Sequence, residues 1–130
     1  PTINKIVNLE LMKKWAIFKN TEHQRIPSLE SFSYDGHELI IQVIFENQIK
    51  TVKCNDVLSF KMIEEGNAFH TLQEQDFDGD TWIFRTDSSA LIDWFNYESE
   101  SIHSDQLTSY IIVTQDQFFE VLTHSKIDVS

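Results

Sequence analysis

The sequence predicts an α+β domain over residues 1–130. It expects a largely antiparallel sheet, an N-terminal helix and two short helices in the C-terminal half. Three observations lead there. Apolar residues recur at helical spacing early in the chain, at Leu9, Met12 and Ala16 and again at Leu11, Trp15 and Phe18. Short alternating runs then follow one another, separated by Asp35-Gly36, Asn47, Asn55-Asp56 and Asp78-Gly79. Two stretches also carry helix-start chemistry, Asp87-Ser88-Ser89 and Thr114-x-x-Gln117.

Residues 7–19 read as an amphipathic helix after Asn8, although Trp15 to Lys19 also suits an extended chain. Residues 20–30 are polar, contain Pro27 and read as a loop. Ser31 to Tyr34 leads into the Asp35-Gly36 turn, and Glu38 to Phe45 returns. Leu39, Ile41, Val43 and Phe45 line one face of that run, while Ile40 and Ile44 make the other apolar as well. A strand apolar on both faces is a central strand. Gln48 to Lys53 pairs back after Asn47. Val57 to Ile63 follows Asn55-Asp56, with Leu58, Phe60 and Met62 on one face.

A second hairpin is expected around Asp78-Gly79, its arms being residues 69–76 and Thr81 to Arg85, with Trp82 and Phe84 facing inward. A helix then runs from the Asp87–Ser89 start to near Glu98, with Leu91, Trp94 and Phe95 as its buried stripe. Residues 99–106 read as a polar loop, and Leu107 to Val113 as a strand. Thr114 and Gln117 complete a capping box, and Val113 and Phe118 form a hydrophobic staple. Asp116 complements the helix dipole, so a final helix carrying Phe118, Phe119, Val121 and Leu122 is expected.

Composition narrows the function classes. At 130 residues, with 41% hydrophobic and 12% aromatic side chains, the chain can bury a core of bulky members. The single cysteine, Cys54, rules out an intrachain disulfide and fits a reducing compartment. No apolar run resembles a signal peptide or membrane span, and Pro1 is expected to follow a removed initiator Met. A cytoplasmic location is the expectation. The net charge of -11 disfavours direct contact with nucleic acid or an anionic membrane.

That charge is unevenly placed. Residues 1–62 sum to +1, whereas residues 63–130 sum to −12. Between Glu64 and Asp105 lie eleven acidic residues and one basic residue, Arg85, with Phe77, Trp82, Trp94, Phe95 and Tyr97 among them. Acids around aromatic anchors suit a basic protein partner, because the charge steers encounter and the rings supply binding energy. The simpler reading is that Trp82, Trp94 and Phe95 are core and the charge serves solubility. Phe77, at a hairpin tip, and Tyr97, at a helix end, are the aromatics expected to be exposed. The candidate partner-binding residues are therefore Glu74, Asp76, Phe77, Asp78, Asp80, Tyr97, Glu98, Glu100 and Asp105.

Other chemistry fits less well. With Glu74 at position 1, the run from Glu74 to Asp80 matches the first offsets of a calcium loop. Arg85 then stands where a bidentate Glu is needed, so no metal is expected. The five histidines show no ligand spacing. Cys54 beside Lys53 reads as structural rather than nucleophilic. No glycine loop cradles a phosphate. No cofactor and no catalysis are expected.

Trp82-Ile83-Phe84, the stretch from Thr86 to Phe95, and Ser109 to Thr123 resemble segments of small bacterial proteins that include immunity proteins of toxin systems. Lys13 to Thr21 is similar to their early segment. The resemblance covers about half the chain and rests on structural rather than functional motifs. It implies a protein that binds and blocks a cationic toxin, often a nuclease, and it carries over no catalytic residues. The function expected is an immunity-type, non-enzymatic acidic binding module. A small ligand-binding domain or enzyme with an unrecognised pocket is the alternative.

Overall fold

A computed structural model describes residues 16–18, 25–64, 81–102 and 107–130. Among these residues nine strands form two antiparallel sheets. They are β1 (Ala16–Ile17), β2 (Ser28–Tyr34), β3 (Leu39–Phe45), β4 (Gln48–Cys54), β5 (Val57–Glu64), β6 (Ile83–Thr86), β7 (Thr108–Val113), β8 (Gln117–Thr123) and β9 (Asp128–Val129). The one helix among the described residues, α1 (Ala90–Glu98), lies between β6 and β7. The larger sheet has the order β1-β6-β7-β8-β5 and the smaller β2-β3-β4-β9.

Strand makes up 56% of the described residues, so the fold is mainly β and the α+β expectation is corrected. Most of the expected N-terminal helix, residues 7–15, falls outside the described residues. Its tail, Ala16–Ile17, is instead a strand paired with Phe84 and Arg85. Of the two helices expected in the C-terminal half, only the one over Ala90–Glu98 forms.

The expected last helix is strand β8, and its signals were real but serve a turn. The Gln117 N–H donates to Thr114 Oγ1 at 3.0 Å, as a capping box requires. Thr114 Oγ1 also meets Gln117 Oε1 at 2.6 Å. Here these bonds close the β7–β8 hairpin, in which the Thr114 N–H donates to the Gln117 carbonyl at 2.9 Å. The apolar pattern misleads for a related reason. Phe118, Phe119, Val121 and Leu122 are buried on both faces of a strand, and that mimics helical spacing.

The strands expected between Ser31 and Ile63 form, although β2 begins at Ser28 inside the expected loop and β9 adds a strand where a polar tail was expected; the expected arm at 69–76 lies outside the described residues. β3 lies between β2 and β4, with Leu39, Ile41 and Val43 fully buried. The Asp35 carboxylate accepts from the His37 and Glu38 N–H groups at 2.9 and 2.8 Å, which holds its carboxyl below the usual range. Gly36 supplies the positive φ of 100° that this turn requires. In β5 the register shifts between Val57 and Ser59. Leu58 therefore packs beside α1, Phe60 faces the inter-sheet core and Met62 is exposed, so the three do not share one face.

The two sheets face each other across one core. Leu39, Ile41, Val43 and Val52 meet Ile83, Tyr110, Ile112, Phe119 and Val121 there. Edge-to-face ring pairs join the sheets: Phe32 with Phe119, Tyr34 with Phe60, and Phe45 with Trp82, at centroid distances of 5.2, 5.1 and 5.3 Å. The chain crosses between sheets at Asn55-Asp56, where the Thr123 hydroxyl donates to both carbonyls.

On the outer face of the larger sheet, Leu91 and Ile92 of α1 pack with Leu107 and Leu122. A buried polar cluster fixes the start of the helix. Ser89 Oγ accepts from the Ile92 N–H at 3.2 Å and donates to Glu120 Oε2 at 2.9 Å. Ser109 Oγ donates to the same oxygen at 2.7 Å, and Lys61 Nζ lies 3.6 Å from Oε1. One hydroxyl thus caps the helix and satisfies a buried carboxylate. Ser89→Ala is expected to lower unfolding free energy by about 2 kcal/mol in urea titration, combining the loss of a cap with that of a charge-assisted bond. A loss of only a few tenths would show that water replaces the hydroxyl.

Candidate functional site

Helix α1 has one buried side and one side open to solvent. Leu91 and Ile92 are buried and Phe95 packs beside them, but Trp94 is 52% exposed and Tyr97 81% exposed. The expectation that Trp94 belongs to the buried stripe is thus corrected. The inward positions are Leu91, Ile92 and Phe95, so Trp94 points away from the sheet, with Tyr97 and Glu98 three and four residues on along the same side. Ile102, just beyond the helix, is 75% exposed.

The charges around these rings are all negative. Asp87, Asp93, Glu98 and Glu100 accompany them, with no basic residue from Thr86 to Ile102. Arg85, just before, is engaged: its guanidinium lies 3.5 Å from the Asp87 carboxylate. Glu98 and Glu100 stand at the helix C-terminus, where the dipole favours cations. Their placement opposes the local electrostatics, and neither forms an ion pair among the described residues.

The helix ends in a Schellman arrangement. The Ser101 N–H donates to the Asn96 carbonyl at 2.8 Å and the Glu100 N–H to the Tyr97 carbonyl at 3.4 Å, while Ser99 Oγ donates to the Phe95 carbonyl at 2.7 Å. This motif places Glu100 at φ 52° and Ser101 at φ 61°. Glycine is the ordinary occupant of that left-handed position, so a glutamate there is retained at a local conformational cost. The turn holds Glu100 and Ile102 exposed beside Tyr97.

Of the residues expected to bind a partner, the structure brings Tyr97, Glu98 and Glu100 together on this surface. Glu74, Asp76, Phe77, Asp78, Asp80 and Asp105 lie outside the described residues, as does the expected 69–80 hairpin arm and tip. Trp82 is fully buried and Phe95 packs inward, as the core reading expects. Sequence reasoning missed Trp94, Asp93 and Ile102 as parts of the surface. The spacing of Leu91, Ile92 and Phe95 was the signal that could have turned Trp94 outward.

Among the described residues no group of three His, Cys, Asp or Glu side chains could hold a metal ion. Cys54 is fully buried in the inter-sheet core. Burial, and secondarily the negative charge of Glu38, pushes its thiol up to about 12, which suits a packing role and opposes thiolate chemistry. No described helix is long and apolar enough to cross a membrane. Comparison with protein-family models, with curated proteins and with solved structures finds no match for this chain.

Two outcomes follow from this geometry. An unfolded thiol ionises near 9.0 whereas the folded one holds its proton to about 12, so the unfolded state alone loses the proton as pH rises past 9. Stability is expected to fall there by about 1.4 kcal/mol per pH unit. Denaturation between pH 9 and 10 should show a shallower slope for Cys54→Val than for the parent, and equal slopes would contradict it. Glu100→Gly is expected to raise unfolding free energy by about 0.5–1 kcal/mol, as relief of the left-handed strain exceeds the added freedom of the unfolded chain.

Proposed function

We propose that this protein is a non-enzymatic binding module that engages a basic protein partner through the acid-flanked aromatic surface of α1. The observation that carries the reading is the exposure of Trp94 and Tyr97 on a helix that already has a complete buried face. Neither ring is needed to seat the helix, and large exposed aromatics beside uncompensated carboxylates match the composition of protein-binding surfaces. The acids at the C-terminus of α1, set against its dipole, add to the same argument.

Within that class, the particular reading is an immunity-type inhibitor of a cationic bacterial toxin. It rests on the resemblance of the segments around Trp82, Thr86 to Phe95 and Ser109 to Thr123, and on the net charge of -11. Inhibition would proceed by occlusion: carboxylates neutralise basic groups on the toxin while the rings exclude water from the contact. The acids between Glu74 and Asp80, together with Asp105, extend the proposed contact at the level of sequence.

Co-expression with a toxin encoded beside this gene tests the reading, scored by rescue of growth and by a stable complex. Failure of both discards it. Given a complex, the triple variant Asp93→Lys, Glu98→Lys, Glu100→Lys is expected to slow association by about tenfold at low salt and to flatten its salt dependence. Trp94→Ala and Tyr97→Ala should instead speed dissociation, by about tenfold or more each. Reversal of Asp76, Asp78 and Asp80 to Lys examines the second group of acids. An unchanged on-rate in the α1 triple variant places the contact elsewhere.

A further inference from the structure

The inter-sheet core is open at one end, and a lysine stands in the opening. Along β3 and β4 the inner face runs Leu39, Ile41, Val43 and Phe45 against Cys54, Val52, Lys50 and Gln48, because Val43 pairs directly with Lys50 and Phe45 with Gln48. The apolar row of β4 therefore gives way to an ammonium group and then an amide. Lys50 Nζ lies 5.8 Å from the centroid of the Phe45 ring, and that ring packs edge-on against the buried Trp82. Lys50 is half-buried and has no ion-pair partner among the described residues.

A cavity of about 550 Å³ opens at this point, where the start of β2, the β3–β4 turn and the β7–β8 turn converge. Its volume falls in the range of sites for small molecules. Ile26, Ile44 and Phe45 contribute apolar wall, and Lys50, Arg25 and Glu46 are its charged groups among the described residues. Arg25 is already in contact with Glu46, at 3.9 Å, so among the described residues one positive charge stands uncompensated. In a chain of net charge -11 that local sign is reversed. Glu46 is also held at φ 52° at the tip of the turn. The β7–β8 turn is anchored beside it by the bond from the Gln115 N–H to the Pro27 carbonyl, 2.8 Å.

We infer that this cavity binds a monoanionic carboxylate with an apolar body, its carboxylate on Lys50 and its body against Phe45 and Ile26. A single uncompensated cation suits a monoanion better than a phosphate dianion. The ring and aliphatic wall suit a hydrocarbon group in place of a sugar or a second charge. The site is separate from the α1 surface and stands whether or not that surface binds a toxin.

The test is titration of the isotopically labelled protein with 4-phenylbutyrate, 4-phenylbutan-1-ol and 4-phenylbutylamine. The carboxylate is expected to shift amide signals of Ser28, Phe45, Lys50 and Gln115 in a saturable way, and to bind at least several-fold more tightly than the alcohol or amine. Lys50→Met should weaken it about tenfold, the loss of a charge-assisted bond, while Lys50→Arg retains it. Thermal unfolding of both variants confirms that they fold. A tripeptide ending in phenylalanine, with a free or an amidated C-terminus, separates the two sources of this chemistry. Tighter binding of the free-acid peptide assigns the site to a chain terminus, and tighter binding of phenylbutyrate assigns it to a free small acid. No saturable shift at millimolar probe, or equal binding of the amine, overturns the proposal. So does Lys50→Met if it leaves affinity unchanged and makes the protein self-associate, because the lysine is then only a guard on the open edge of β4.

Discussion

The β7–β8 hairpin is covered on both faces, and this double burial organises the molecule. Its inner side chains, Tyr110, Ile112, Phe119 and Val121, are the floor on which the smaller sheet rests. Its outer side chains divide between Phe118 with Ile111 and Val113 at one end and Leu122 under α1 at the other. A sheet covered on both sides needs a partner for every polar group between its layers, because a buried group without one is costly. Glu120 is the buried acid in this position. Its carboxylate is shared by Ser89, Ser109 and Lys61.

That requirement connects core to surface. Ser89 satisfies Glu120 and at the same time caps α1, so the helix start is referred to the sheet rather than to a loop. With its origin fixed and Leu91, Ile92 and Phe95 seated, the rotation of α1 is determined. Trp94 and Tyr97 have no route inward and face solvent among carboxylates. The exposure of an acid-flanked aromatic face on α1 is therefore a consequence of how a buried glutamate is satisfied. At the other end of the sandwich the opposite holds: the inner row of β4 turns polar at Lys50 and Gln48, and the described residues present a positive, partly apolar recess remote in character from the acidic helix.

Many of the elements were legible in the sequence because their signals are local. Asp35-Gly36 marked a turn whose carboxylate does close on its own backbone. Both-face apolarity marked β3 as central. Ser89 marked the start of the one described helix, and Leu91 and Phe95 its buried side. The acidic bias of this stretch was legible as composition, and Tyr97, Glu98 and Glu100 are exposed. Trp94 was not, since an aromatic at helical spacing reads as core unless the adjacent Ile92 is recognised as the inward residue.

Sequence alone determined the acidic bias, the lack of any disulfide within these 130 residues and the succession of short strands. Tertiary structure decided whether ambiguous segments became helix or strand. In the β7–β8 turn the Thr114 N–H goes to the Gln117 carbonyl instead of the Gln117 side chain. The bond from the Gln117 N–H to Thr114 Oγ1 is common to a capping box and to this hairpin turn, so the Thr-x-x-Gln signal by itself does not discriminate between them. Burial does: Phe118 and Phe119 each find a separate apolar layer when the segment is extended, whereas one helix face would reach only one. Ala16–Ile17 follows the same logic, gaining a place on the edge of the larger sheet beside β6. The sandwich, the direction of Trp94 and the recess at Lys50 all depend on contacts between residues far apart in the chain, and pattern along the chain does not encode them.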